Sequence, residues 1–131
     1  KNYPVHLPAM PQIRKIAHID AVTNLTDADC GRHFADSVGV AADWRRPAPV
    51  WETPYGALLP RELDGVLAAG RCVGTAGAAW EIFRVIPAAA MTGEAAGTAA
   101  ALAVERGIPP RKLPVATLQA QLKSAAERWQ R

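Results

Sequence analysis

Apolar positions along this chain change their period twice, and the two changes divide it into three stretches. Residues 1–12 hold three prolines and no clear period, which predicts an extended lead-in. Ile13 to Val22 alternates loosely (Ile13, Lys15, His18, Asp20) and predicts a strand. Asn24 to Asp29 is rich in capping and turn residues and predicts a short helix or turn. Val38 to Trp44 favours β structure, 45–49 is a break, and Val50 to Leu59 predicts one or two short strands around Pro54. A small antiparallel arrangement over 13–59 is therefore expected.

From Pro60 the pattern changes. Arg61 to Gly65 is a turn, and Val66-Leu67-Ala68-Ala69-Gly70 is a short apolar run that suits a strand buried on both faces. Cys72 to Gly77 is glycine-rich and predicts a loop. Pro87 fits the first turn of a helix, where its missing N–H costs nothing. Alanine fills nine positions between Pro87 and Arg106, Gly107 is a natural stop, and Ile108-Pro109-Pro110 follows it. Gly93 and Gly97 lie on one face of this helix and cost roughly 1 kcal/mol each against alanine, a loss tolerable where something approaches the backbone closely. A last amphipathic helix runs from Pro114 to Trp129, with Leu118, Leu122, Ala125 and Trp129 on one stripe. The fold class is α/β, or α+β for the chain by itself: short strands, a buried strand, a long Ala-rich helix and a C-terminal amphipathic docking helix.

Composition narrows the function classes. The chain has 131 residues, half of them apolar and 21% charged, as expected of a globular domain. Its net charge of +3 is scattered, with no basic cluster longer than Arg45-Arg46 or Arg111-Lys112, so no nucleic-acid groove is expected. The most apolar stretch, 85–104, is broken by Pro87 and Glu94 and makes a poor membrane span. Two distant cysteines, Cys30 and Cys72, fit a reducing compartment, and a cytoplasmic location is expected. The chain opens at Lys1 rather than at methionine, as a processed chain or a piece of a longer one does.

The stretch that carries chemistry is strand, glycine loop, arginine, helix, over 65–107. A strand ending in Ala68-Ala69-Gly70-Arg71 delivers the chain to a carboxyl edge, where α/β ligands bind. The small residues Gly74 to Ala79 let backbone approach a flat or bulky ligand. Arg84 then precedes a helix whose first N–H groups are unpaired and partly positive, suited to a phosphate, a carboxylate or a reduced flavin ring. A buried strand covered by an Ala/Gly-rich helix explains the same pattern without any ligand.

Several blocks in order resemble a known family. They are Pro54-Tyr55-Gly56-Ala57-Leu58-Leu59-Pro60, Gly65 to Cys72 (GVLAAGRC), Phe83-Arg84-Val85-Ile86-Pro87, and Met91 to Ala100 (MTGEAAGTAA). Together they resemble the C-terminal end of FAD-dependent oxidoreductases of the glutathione-reductase-like superfamily, and most closely the branch often found beside sugar-degradation genes. The resemblance is strong over 54–122, with weaker matches at Gln12-Ile13-Arg14 and Asp36-Ser37-Val38. It implies that 1–60 ends a substrate or cap region, that 61–110 is the returning segment of a Rossmann-like FAD-binding domain, and that 111–131 is a docking helix. It further implies FAD as cofactor, hydride transfer with a small organic substrate, Gly70 and Arg71 near the ribityl and pyrophosphate, and Val85 and Ile86 amides at the flavin pyrimidine edge. Gly93 would also lie on the cofactor side. Arg84 matches the arginine that sits at flavin and substrate in wider relatives such as fumarate reductases; substrate binding, charge stabilisation and a structural ion pair all remain open for it.

No G-x-G-x-x-G fingerprint occurs, so the adenosine half of FAD has no recognisable cradle, and this chain alone is expected to be inactive and not to retain FAD. The implied partner is an N-terminal FAD-binding portion; self-association is a further expectation. The alternative is a non-enzymatic module that docks through apolar helix faces. A metal corner at Cys30-x-x-His33 with Asp27 and Asp29 lacks the second ligand pair that zinc requires, so no metal is expected. Trp44, Trp51 and Trp80 are candidates for pocket walls, Trp80 in the glycine loop first among them, with core packing the simpler role. Asp43 and Glu52 have no partner that would mark an acid or base.

Overall fold

A computed structural model describes residues 15–45, 47 and 49–129. The expected lead-in over 1–12, and the Gln12-Ile13-Arg14 block, lie outside these residues. Two strands, β1 (Ser37–Ala42) and β2 (Val50–Pro54), pair antiparallel with Val40 opposite Glu52 and Ala41 opposite Trp51. The register shifts between Ser37 and Val40. Helices α1 (Gly77–Phe83), α2 (Ile86–Arg106) and α3 (Val115–Trp129) follow. The fold is therefore mixed helix and strand.

Among the described residues one core draws on helices, strands and loops alike: Leu25, Trp51, Leu58, Ile82, Phe83 and Leu118 are fully or almost fully buried in it. The helix α2 crosses β1, and the two are so close that a side chain on Gly39 would run into Met91. It stops where the sequence predicts. Gly107 adopts a left-handed φ of 61°, and the Ile108 N–H reaches back to the Ala103 carbonyl at 3.0 Å, which satisfies the last turn. α3 docks through Leu118 and ties itself to β1 by the Gln119 side chain, which donates to the Ala35 and Ser37 carbonyls. The short turn expected over 24–29 is a 3-10 helix, Asp27–Asp29, closed by a Thr26–Asp29 capping box.

Three expectations need correction. The stretch from Lys15 to Val22 is not a strand; its one ladder contact is an isolated bridge between Ala21 and Pro60. The run Val66–Gly70 is extended but not a strand either. Among the described residues its backbone engages a neighbour through the Ala68 N–H on the Leu58 carbonyl, and Val66 stands in the open, so no ladder forms. Finally, the small-residue stretch after Cys72 is not a ligand-facing loop. Gly74 is pressed against the 21–24 segment, where an added Cβ would stand 2.3 Å from that of Ala21. Thr75 is fully buried, and Gly77 onward is helical. Asp27 explains that helix: its carboxylate accepts the Ala78 N–H and caps α1 from a distant part of the chain, a signal local sequence does not carry.

Candidate functional site

An open cleft of about 500 Å³ lies where α1 hands over to α2, lined by Trp44, Arg71, Arg84, Val85, Ile86 and Pro87. Its size is that of a small-molecule site. Arg84 caps the end of α1 and Val85 is the extended residue before α2. Pro87 sets the first turn of α2, as the sequence predicts. Among the described residues no side chain caps that helix end, so the amides at its opening keep their partial positive charge. Ile86 is 85% exposed. Trp44, at the end of the β1–β2 hairpin and 65% exposed, faces it as an aromatic wall.

Four of the six expected site residues meet here: Arg71, Arg84, Val85 and Ile86. Gly70 does not line the cleft. Its φ of 70° explains why glycine is needed, and its N–H is already donated to the Thr92 hydroxyl at 2.8 Å. Gly93 stands two turns along α2, exposed and with open space around it. It shares the outward face with Ile86 but is not part of the cleft.

Both cleft arginines are tied to α1, Arg84 through its guanidinium and Arg71 through its backbone carbonyl. The Trp80 indole N–H donates to the Arg71 carbonyl at 2.8 Å, and Arg84 Nε donates to Glu81 Oε2 at 2.6 Å. Lys15 Nζ donates to the other Glu81 oxygen and lies over the Trp80 ring, with which His18 makes a T-shaped contact. Lys15 first, and Arg84 second, hold the Glu81 carboxyl down at about 2, against an ordinary 4.5. Because that value is depressed on folding, the associated stability is complete above pH 4.5 and disappears as pH falls toward about 2. Denaturant unfolding of Glu81→Gln across this window should show a weaker pH dependence than the native chain; equal slopes would contradict the pairing.

The remaining candidates have structural work. Trp51 is core, its indole N–H on the Thr26 carbonyl. The buried Asp43 carboxylate grips Arg45 through both oxygens, and Glu52 accepts from the Phe34 N–H and from His33. Glu81 was not singled out by sequence, although its spacing of three from Arg84 on a helix was the available signal. Trp44 and Pro87 join the cleft as well.

Fold and cleft define the class: a mixed helix–strand chain with a ligand-sized, arginine-flanked cleft at the opening of a long helix. The chain belongs to the FAD dependent oxidoreductase family, whose family model matches residues 1–122. No curated protein and no solved structure matches it. Among the described residues no helix is long and apolar enough to cross a membrane.

Proposed function

We propose that this chain is the C-terminal part of a flavoenzyme, and that the cleft before α2 takes the isoalloxazine end of FAD. The observation that carries the reading is the cleft itself: an exposed helix start with uncapped amides, a tryptophan wall and two guanidinium groups around about 500 Å³. These residues fit a flat ring that gains negative charge on reduction. FAD supplies the hydride chemistry when bound, exchanging a hydride with a small organic substrate. Val85 and Ile86 present backbone N–H groups to the ring edge, Trp44 excludes water from one side, and Arg84 binds or stabilises negative charge. Arg71 lies toward the phosphate side.

The outward face of α2 supports the view that more protein belongs here. Ala88, Thr92, Ala95, Ala99 and Ala103 form its buried stripe. The opposite stripe, Ile86, Ala90, Gly93, Gly97, Ala100 and Val104, is also apolar, and Val104 is 82% exposed. A helix apolar on both faces is built for burial on both. The glycine-bearing face matches the missing N-terminal FAD-binding portion, whose partner strand would also complete the extended 66–69 segment. A non-enzymatic docking module would use the same face, but the family match favours the flavoenzyme.

The two readings separate on the full-length protein. Gly97→Leu, which has open space in this chain, should leave residues 15–129 folded while reducing FAD retention at least tenfold, measured by flavin absorbance of the purified protein. Unchanged retention would remove the face from the FAD-binding assembly. Low-micromolar, saturable FAD binding by residues 1–131 alone would overturn the need for the partner portion.

A further inference from the structure

We propose that Glu81 is a positioning residue for the cleft: it fixes the direction of the Arg84 guanidinium and sets the net charge behind it. The inference rests on the flavin reading of the cleft but concerns residues that reading leaves without a role.

The geometry is specific. A guanidinium is a rigid fork with five N–H donors. Among the described residues, Arg84 is held at the base of that fork, by Nε on Glu81 Oε2 at 2.6 Å. The two terminal nitrogens are what remains for the cleft it lines. Glu81 cannot swing to follow Arg84, because its other oxygen is bound to Lys15, and Lys15 is seated over Trp80. Trp80 is anchored in turn by its indole N–H on the Arg71 carbonyl and by a T-shaped contact with His18. Arg84 is four-fifths covered, so this is not a freely solvated surface pair. The short helix α1 therefore braces both cleft arginines, one through a carboxylate and one through a backbone carbonyl.

Charge follows from the same arrangement. Lys15, Glu81 and Arg84 form a triad with a single net positive charge. Removing the carboxylate raises that charge; removing the lysine cancels it. Arg45, held by Asp43, also senses Glu81 electrostatically, so the carboxylate offsets three nearby cations. A flavin ring in the cleft accumulates negative charge on reduction, and its balance between oxidised and reduced forms reports the local charge.

The test uses the FAD-loaded full-length protein and the two nearly isosteric variants Glu81→Gln and Lys15→Met. Dye-coupled redox titration should show the reduced form favoured about tenfold more in Glu81→Gln, a positive shift of about 30 mV for a two-electron couple. Lys15→Met should shift the other way. A merely structural role would not produce opposite signs in two folded variants, and an unmoved potential in both overturns the proposal. A second readout needs no flavin. In the 15N spectrum the Arg84 Nε–H, assigned by its loss in Arg84→Lys, should exchange slowly with water in the native chain and rapidly in Glu81→Gln. Rapid exchange in the native chain overturns the positioning role; slow exchange without FAD binding leaves it standing and defeats the flavin reading instead.

Discussion

Gly74→Ala is expected to destabilise the chain by about 3 kcal/mol, at the upper end of the usual cost of overpacking. The added methyl would stand 2.3 Å from Ala21 Cβ and 2.9 Å from the Thr23 carbonyl oxygen, and neither atom can move unless the backbone that carries it moves. Gly74 also donates its N–H to the Ala57 carbonyl and accepts from Leu25, so any retreat breaks the bonds that hold 21–25 against the core. Leu25, Leu58 and Val73 sit on either side of that seam and are fully buried. Gly93→Ala is the matched control. It lies in open space within a helix and should gain roughly 1 kcal/mol. Urea unfolding of the two variants beside the native chain measures both; a Gly74→Ala loss below that of an ordinary surface change would mean the 21–25 segment is not packed as described.

The second large effect is on catalysis. In the FAD-loaded full-length protein, Arg84→Met should lower turnover about a hundredfold, the scale on which removing one oriented donor from a charge-stabilising site acts. Stability should fall by only about 1 kcal/mol, because Glu81 keeps Lys15 as its partner when Arg84 is removed. Arg84→Lys should recover only part of the activity: a point charge cannot hold Glu81 through one edge and present two donors from the other. Single-turnover flavin reduction, followed by absorbance, separates the chemical step from substrate release. Native rates in Arg84→Met with FAD fully bound would reduce Arg84 to the structural ion pair it makes with Glu81.

Sequence and structure agree where local chemistry decides. Pro87, the alanine run and Gly107 place α2 to within a residue, because a proline at the first turn, strong helix formers and a left-handed glycine each act over one turn. The β1–β2 pair and the Asp27–Asp29 turn were legible for the same reason. The misreadings lie where distant residues decide. α1 is capped by Asp27, fifty residues upstream, and nothing within Gly77–Phe83 announces it. Apolar runs such as Val66–Gly70 look like strands whatever their pairing, since a ladder depends on a neighbour that the run does not encode. Arg71, Arg84, Val85 and Ile86, which the family resemblance grouped with Gly70 and Gly93, line one cleft, whereas the two glycines do not: a resemblance between sequences does not distinguish a glycine needed for its φ from one beside a ligand. Glu81 emerges only when α1 is placed in space, and Trp44, one of three candidate tryptophans in the sequence, is set apart from Trp51 and Trp80 as a cleft wall only by the placement of the hairpin.

A crystal structure of the full-length protein with FAD tests the central claim most directly. The isoalloxazine ring is expected beside Val85 and Ile86, its pyrimidine edge facing their amides, with Arg84 at hydrogen-bonding distance and Trp44 along one side. A flavin bound elsewhere, or the start of α2 covered by protein side chains that leave no space for a planar ring, would contradict it.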